Sequence, residues 1–478
     1  MTTQAVTPTR IQNPTRPAAA SSGSITRMRD LLKESRKPPL PVILFFLLIL
    51  FPIEFNLGGL FMTGPRVLIL VLIVPACLRL VTGQLGRILL TDVLFFLFAI
   101  WNIFTLFRNN PGQALSFGGS VALEMFGGYM LGRAYVKNPA DFARTCIVLF
   151  SIIIITLPFA LYESRTGIAP IPTIISGIPF LDSVNDFYND LAGRRLGLER
   201  SQVVFNHPIH YGLFCSTAFS LAFVGFKGIL SQWARILLAF AVLLGVFFSL
   251  SSGAILPVVV QASLIFWAWA FRFVRSRWLI FGGVCVLLYI AIDSISNRTP
   301  LVVLLDYATF SSHNAYWRMM IFEWGMKNVW ANPFWGIGLN DWERPWFMRS
   351  GSMDNFWLVN AVRYGILGFL LVAIGFALVY VRVMFRNLDS HDAIWSFRRA
   401  WVITLASLFL TLCTVHVWAT AQAYVFFLFG AGVWLVWYRP PSHCEVEDLD
   451  QKDTGQPRLR KLAYTRFAPV DRRLSQFR

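Results

Sequence analysis

Residues 143–162 have the sequence ARTCIVLFSIIIITLPFALY, and this stretch decides the fold class of the chain. It contains one charged side chain, Arg144, near its start. A helix that crosses the hydrocarbon core of a bilayer needs about 20 mostly apolar residues. The stretch matches that requirement in length and in composition, so it predicts a transmembrane helix.

Other apolar runs repeat this pattern along the whole chain. Hydrophobic residues make up 56% of the sequence and charged residues only 14%, against roughly 25% charged in ordinary soluble proteins. We therefore predict an all-α integral membrane protein with about 12 transmembrane helices. The predicted spans lie at about 39–54, 67–83, 88–107, 114–135, 143–162, 209–226, 235–250, 254–273, 278–293, 359–384, 400–418 and 421–438.

The distribution of positive charge predicts the orientation of these spans. The net charge of +17 would suit a nucleic-acid partner, but Lys and Arg concentrate in the two tails and in alternate loops, as in the 272–277 segment and at Arg398 and Arg399. Cytoplasmic loops of membrane proteins carry this excess. We predict cytoplasmic termini and no nucleic-acid partner.

The same pattern gives the domain organisation. Residues 1–38 are predicted to be a disordered cytoplasmic tail, because they are polar and rich in Ala, Ser, Thr, Pro and Arg. Residues 39–438 form the membrane domain, and 439–478 a basic cytoplasmic tail. A cleavable signal peptide is not expected, since some 38 mostly polar residues precede the first apolar run.

The cysteines indicate neither a disulfide framework nor a metal site. Five of the six lie inside apolar runs and one in the C-terminal tail, without CxxC spacing. The sequence also has no metal-ligand spacing, no P-loop for a nucleotide and no nucleophile elbow. Metal and nucleotide sites are therefore not predicted. The cysteines are Cys77, Cys146, Cys215, Cys285, Cys413 and Cys444.

Two long outer loops, at about 163–208 and 294–358, are the places where we expect chemistry, because long loops on a rigid scaffold commonly carry function. The first ends in a basic cluster, although outer loops are usually poor in Arg. An anionic ligand would explain the cluster. The alternative is contact with lipid headgroups, with Glu199 pairing one Arg. The cluster consists of Arg194, Arg195, Arg200, His207 and His210.

The second outer loop contains three notable segments. Residues 316–324, with Arg318, suit a helix at the membrane interface. The sequence Asn332-Pro-Phe-Trp-Gly-Ile-Gly338 predicts a chain reversal. The loop closes with Asp354-Asn355, in which Asp354 is either functional or the N-cap of the following helix.

Two charges fall inside predicted spans. Glu124 and Arg363 are functional candidates by their position, and the alternatives are snorkelling or pairing with a neighbouring helix. The histidines outside the first loop are scattered, and we interpret them as incidental: His313, His391, His416 and His443.

The order of these motifs resembles the O-antigen ligase/polymerase family, which includes Wzy-type polymerases and lipid A-core O-antigen ligases. The resemblance rests on the basic first loop, Ser251-Ser252-Gly253, Arg318, the 332–338 turn, Asp354-Asn355 and Tyr364-Gly365-Ile-Leu-Gly368. The family usually has Ser-Arg-Gly at the small-residue break. Its ligases have His-Asn at 354–355, so Asp354 favours a polymerase.

The resemblance implies a GT-C-related helical fold with a large late periplasmic loop in a bacterial inner membrane. It implies glycosyl transfer from undecaprenyl diphosphate to a sugar hydroxyl of another lipid-linked unit, without metal or other cofactor. Asp354, Arg318 and Arg200 would be catalytic. Substrate-binding residues would be Arg194, Arg195, His207, His210, Asn355, Trp335 and Trp357, with Trp342 and Trp346 as further aromatic contacts for sugar rings.

The product would be an exopolysaccharide, a capsule or an O-antigen, and partners would include flippase and chain-length regulator proteins. Three alternatives stay open: ligation of O-antigen to lipid A-core, transport or flipping of a lipid-linked glycan, and a non-catalytic role in envelope assembly. A transporter would bring Glu124 and Arg363 into one central cavity that opens to both sides of the membrane.

Overall fold

The computed structural model of the chain describes residues 37–57, 60–179, 182–183, 194–295, 312–386, 388 and 392–438. These residues are mostly helical. Nearly all of the predicted N-terminal tail and the whole predicted C-terminal tail lie outside the described residues, so both assignments stay predictions.

Fifteen α-helices occur in the described ranges. They are α1 Leu40–Leu50, α2 Gly64–Val81, α3 Leu90–Asn109, α4 Ala114–Ala122, α5 Gly128–Tyr135, α6 Pro139–Thr166, α7 Pro170–Ser176, α8 Pro208–Ser220, α9 Gln232–Phe248, α10 Ser252–Ala270, α11 Arg277–Ile295, α12 Ser312–Ala331, α13 Phe356–Phe385, α14 Asp392–Thr411 and α15 Ala419–Gly430.

Each predicted span overlaps one or two of these helices. Eight helical segments in the described part are long and apolar enough to cross a membrane. The other four predicted spans fall on α1 and α9, which are shorter, on α14, and on α4 and α5 together. The fold is that of a multi-pass helical membrane protein, and the count of about twelve spans stays a prediction. The eight segments are Gly64–Val81, Leu90–Asn109, Pro139–Thr166, Pro208–Gly225, Ser252–Ala270, Arg277–Ile295, Phe356–Phe385 and Ala419–Val436.

Small residues let the central helices approach each other closely. A Cβ atom on Gly128 of α5 would lie 2.5 Å from the carbonyl oxygen of Ala423 in α15, and one on Gly430 would lie 2.2 Å from that of Tyr129. Small residues permit this close backbone approach in membrane helices. Helix α15 is almost entirely buried as a result, and the segment before it, 412–418, is mostly buried or half-buried, with Cys413 exposed.

The 332–338 turn forms the predicted chain reversal and also interlocks with a break in α13. Gly365 has a left-handed backbone, with φ of 73°, in the middle of this helix. The amide of Ile366 donates to the Pro333 carbonyl at 2.8 Å, and that of Ile337 donates to the Val362 carbonyl at 2.9 Å. The helix can break inside the protein because the turn satisfies its freed backbone groups.

A small antiparallel sheet precedes α2 in the structure. Strands β1 (Ile53–Leu57) and β2 (Leu60–Thr63) form a hairpin, and β3 (Asp182–Ser183) from the first long loop pairs with the other edge of β1. The first predicted span, 39–54, therefore ends as helix at Leu50 and continues as strand. Through this sheet, the first long loop contacts the segment between α1 and α2.

Candidate functional site

A tight turn and a helix break position the first basic residues. Arg195 and Leu198 exchange two backbone hydrogen bonds around Leu196 and Gly197, both of which have positive φ. The Arg195 guanidinium donates to the carbonyl oxygen of Leu250 at 2.8 Å. Leu250 has a φ of 44° between α9 and α10, so the residue just before Ser251-Ser252-Gly253 supports Arg195.

Arg194 lies apart from this arrangement. Its side chain is 75% exposed and its Nε lies 2.5 Å from Glu199 Oε1. The pairing of one arginine with Glu199, the alternative considered from the sequence, is present. Arg194 lines none of the three cavities described below, and the same holds for Arg195, Arg200 and His210.

Arg200 is buried on a segment that a carboxylate clamps in place. Glu163, near the end of α6, accepts hydrogen bonds from the backbone amides of Gln202 and Val203, both at 2.9 Å. Burial and the neighbouring charge of Arg195 lower the pKa of the Arg200 guanidinium to about 10. Arg200 therefore keeps its charge at neutral pH, close to a second arginine.

The two histidines of the first loop meet the chain segment before α15. His207 caps α8, because its Nδ1 accepts from the Ile209 amide at 3.1 Å. Burial, then His210 and the nearby Arg200 and Arg195, lower the pKa of His207 to about 3, so it is neutral at pH 7. The His210 ring lies 4.0 Å from the Trp418 ring, between centroids.

His416, which the sequence gave no reason to single out, also lies in this group and lines the polar cavity described below. His210 Nε2 lies 3.3 Å from the His416 carbonyl oxygen, and the His416 ring stacks at 5.8 Å on Trp418. No motif surrounds His416 in the sequence. His416 reaches this position because the 412–418 segment turns back toward the first outer loop.

Asn355, not Asp354, caps α13. Asn355 Oδ1 accepts from the Leu358 amide at 3.0 Å, and the helix begins at Phe356. The alternative that Asp354 is the cap is therefore wrong, and Asn355 also lines the apolar groove described below. The carboxylate of Asp354 is left to face the cavities beside it.

Asp354 and Arg318 act on each other electrostatically. Burial raises the pKa of the Asp354 carboxyl, and the positive charge of Arg318 partly opposes that rise. Burial lowers the pKa of Arg318, and Asp354 opposes that shift while Arg195 adds to it. Asp354 is accessible to solvent because it faces the cavities, but the surrounding protein excludes much of the water near its carboxylate.

Two large cavities meet at Asp354. An apolar groove of about 870 Å³ runs along α12, α13 and α14, with Arg318, Asp354 and Asn355 at its polar end. A polar cavity of about 630 Å³ lies on the other side of Asp354. It is lined by residues 337–342 and 350–354 and by His207, Val359, Val362, Arg363, His416 and Trp418.

The tryptophans expected to contact sugars lie in different places. Trp342 lines the polar cavity, and its Nε1 donates to the Gly351 carbonyl. Trp357 lines the apolar groove instead, packed on Phe376 and Phe409. Trp335 stacks on Trp101 at 4.9 Å, and Trp346 is 93% exposed. Of these four, only Trp342 lines the polar cavity.

The charges predicted inside spans are both at cavities. Arg363 lines the polar cavity, and its guanidinium lies 5.5 Å from the Phe117 ring centroid. Glu124 pairs with Arg66 of α2, whose Nε donates to Glu124 Oε1 at 2.8 Å. Among the described residues, no group of three His, Cys, Asp or Glu side chains is arranged to hold a metal ion.

Part of the chain matches a known protein family. Residues 237–373 match a family model described as O-Antigen ligase. The matched segment includes Arg318, the 332–338 turn, Asp354 and Arg363, and it excludes the basic cluster of the first loop. No curated protein matches the chain.

Proposed function

We propose that this multi-pass membrane protein, whose residues 237–373 match a family model described as O-Antigen ligase, is a polysaccharide polymerase. It transfers a glycan from undecaprenyl diphosphate to a sugar hydroxyl of a second lipid-linked unit, at the periplasmic face of a bacterial inner membrane. The product is an exopolysaccharide, a capsule or an O-antigen.

One observation carries this proposal: Asp354 lines both the apolar groove and the polar cavity. A lipid-linked glycan has the same two-part character, with a long apolar tail and a polar sugar chain joined by a diphosphate. With the tail in the groove and the sugars in the cavity, the diphosphate lies at their junction. That junction is where Arg318 and Asp354 are.

The arginines supply what the diphosphate requires. Arg318, Arg195 and Arg200 are close enough for each to alter the ionisation of a neighbour, and like charges gathered in a partly buried place repel unless an anion lies among them. Guanidinium groups bind phosphate oxygens with two parallel hydrogen bonds. They therefore stabilise the negative charge that grows on the leaving diphosphate.

Asp354 is the proposed general base. The acceptor hydroxyl gives its proton to the carboxylate as its oxygen bonds to the anomeric carbon, and the bond from that carbon to the diphosphate oxygen breaks. Undecaprenyl diphosphate leaves with the electron pair. A positioned base contributes about 10²–10⁴-fold to such a step. A raised pKa suits this role, because it makes the carboxylate a better proton acceptor near neutral pH.

Lipid-linked repeats give the test. Deletion of the gene should make single repeats on undecaprenyl diphosphate accumulate while polymer disappears. The full-length protein in liposomes should then convert those isolated repeats into polymer. If it instead joins the glycan only to added lipid A-core, the protein is a ligase. If neither product forms and repeats do not accumulate in the deletion strain, the proposed transfer is wrong.

A transporter of lipid-linked glycan is the second candidate, because Glu124 and Arg363 line a common cavity. The tight helix packing next to that cavity favours an enzyme over a transporter. Gly128 and Gly132, one and two turns further along the chain from Glu124, approach the backbone of α15 so closely that a Cβ atom would lie within 2.5 Å of it. A transporter predicts passage of labelled lipid-linked repeat across protein-containing liposomes without polymer formation.

A further inference from the structure

A third cavity of about 450 Å³ adjoins the polar cavity. The two share Val359, Arg363, His416 and Trp418 in their walls. The third cavity shares no lining residue with the apolar groove. A ligand in the third cavity would therefore be in contact with the contents of the polar cavity, and not with a lipid tail in the apolar groove.

One face of α4 and of the residues on either side of it forms a wall of this cavity. Residues 113, 116, 117, 120, 121 and 124 all line it, with the three- and four-residue spacing that puts side chains on one helix face. A single π-helical turn, Leu123–Gly127, follows α4. Such turns are frequent at functional sites, and this one carries Glu124 on the cavity wall.

The charged groups of the cavity are held in fixed positions. Arg66 donates through Nε to Glu124 Oε1 at 2.8 Å and through Nη1 to the Phe61 carbonyl at 2.6 Å. The backbone amide of Ala419 also hydrogen-bonds to Glu124. A carboxylate and a guanidinium oriented in advance can accept from and donate to neighbouring hydroxyl groups with little loss of side-chain entropy.

Amide and aromatic side chains complete the lining. Gln113, Asn206, Asn360 and Gln422 offer both donors and acceptors. Phe61 and Phe117 offer apolar ring surface, and each has a guanidinium at 5.5 Å from its ring centroid. Polar groups that converge among aromatic rings match a pyranose, which has hydroxyls around its edge and C–H groups on its faces.

We propose that this cavity is a second glycan subsite, which binds a sugar residue of the lipid-linked repeat next to the sugar that reacts. The inference rests on the proposed function and extends it. Its volume falls within the roughly 300–1,000 Å³ of small-molecule sites. Because Arg363, His416 and Trp418 belong to both walls, one glycan can occupy the polar cavity and this subsite together.

A matched pair of serines provides the test. Ser120 lines the cavity and donates to the Ser116 carbonyl at 2.8 Å, whereas Ser151 of α6 is exposed and donates to the Ile147 carbonyl at 2.9 Å. Ser120→Phe fills the subsite, and Ser151→Phe is the control. The assay uses full-length protein in liposomes with lipid-linked repeats isolated from the host's deletion strain.

The expected result is a rise of at least about tenfold in KM for the repeat in Ser120→Phe, with Ser151→Phe unchanged. Gln113→Ala is a milder second variant at an exposed cavity residue, and its KM should rise by about threefold or more through loss of one hydrogen bond. A wild-type KM in both Ser120→Phe and Gln113→Ala overturns the subsite. So does an equal effect of Ser120→Phe and Ser151→Phe. Absence of polymer with the wild-type protein overturns the proposed function instead.

Discussion

At the scale of single residues, the functional argument depends on which of two neighbours caps α13. Asn355 accepts the Leu358 amide, so its neighbour Asp354 is not needed to start the helix. The carboxylate of Asp354 is therefore available at the junction of the apolar groove and the polar cavity. A substitution at 354 tests chemistry rather than helix formation.

Asp354→Asn should leave abundance and thermal stability near those of the wild type, because the helix cap is intact. Polymer formation should fall by at least about a hundredfold, since Asn cannot accept a proton. Asp293→Asn, at an exposed position of α11, is the control and should have no effect. The measurement is the rate of polymer formation in liposomes, with melting temperature measured on the same samples. Normal polymer from Asp354→Asn would remove this residue from the mechanism.

The pH profile of the wild-type enzyme should have an acid limb set by Asp354. Burial raises the pKa of this carboxyl, so the base becomes protonated, and the rate falls, at a higher pH than for an exposed aspartate. Activity should be full above that pKa and lost as the pH falls through it. In Asp354→Asn the residual rate should lack this limb. A wild-type limb that persists in Asp354→Asn would assign it to another group.

Arg318 should be required for transfer because of its geometry as well as its charge. Arg318→Ala should abolish polymer formation, and Arg318→Lys should restore it only in part, since Lys lacks the planar group that holds two phosphate oxygens. Arg349→Ala, in the same outer loop and exposed, is the control. The rate of diphosphate-lipid release with isolated repeats measures the effect. Full activity in Arg318→Ala would exclude Arg318 from the diphosphate site.

At the scale of elements, two breaks in the helical pattern build the site. The break at Leu250 presents a carbonyl to Arg195, and the break at Gly365 receives the 332–338 turn. Each break leaves backbone groups that a partner from another part of the chain satisfies. The motifs that mark these breaks are therefore structural in the first place, and they position the charged residues beside them.

Gly365→Ala should destabilise the protein. The position has a φ of 73°, and an added Cβ would lie 2.1 Å from the Phe334 carbonyl oxygen, so the substitution introduces both backbone strain and a clash. Gly282→Ala in α11, where a Cβ would meet nothing within 4 Å, is the matched control. Melting temperature in detergent should fall for Gly365→Ala by several degrees and stay the same for Gly282→Ala. Equal melting temperatures would contradict the assigned interlock.

At the scale of the whole molecule, the proposed site requires that the loops that carry its residues lie on one face of the membrane. The basic first loop, the 332–338 turn and Asp354 come from distant parts of the sequence and line adjoining cavities or influence one another's ionisation. Their loops must therefore lie on the same side. The concentration of Lys and Arg in the alternate loops and tails predicts that this side is the periplasm.

Thiol labelling tests that orientation. In a cysteine-free background, Leu196→Cys and Trp346→Cys should react with a membrane-impermeant reagent in cells whose outer membrane has been made permeable. Both positions are highly exposed in the structure. Gln84→Cys, also exposed but in a predicted inner loop, should react only after the inner membrane is opened. Labelling of Gln84→Cys in intact inner membranes would reverse the predicted orientation.

The sequence alone predicts the class of fold and a resemblance to the O-antigen ligase/polymerase family. Crossing a bilayer depends on local apolar length, so runs such as 143–162 predict helices without knowledge of their neighbours. The family match over 237–373 agrees with the resemblance drawn from Arg318, the 332–338 turn and the 354–355 pair. The position of charged residues in the two long outer loops likewise predicted Arg195, Arg200 and Arg318 as candidates for the site.

Only the tertiary structure decided which of these residues meet. The assignment of the cap to Asn355 rather than Asp354 depends on backbone geometry that differs by one residue. His416 lies beside His210 and lines the polar cavity, the Arg194 side chain is mostly exposed, and Trp357 lines the apolar groove. Periodicity and motif spacing describe neighbours along the chain. These contacts join side chains that are far apart in the sequence, and helix packing and the breaks at Leu250 and Gly365 bring them together.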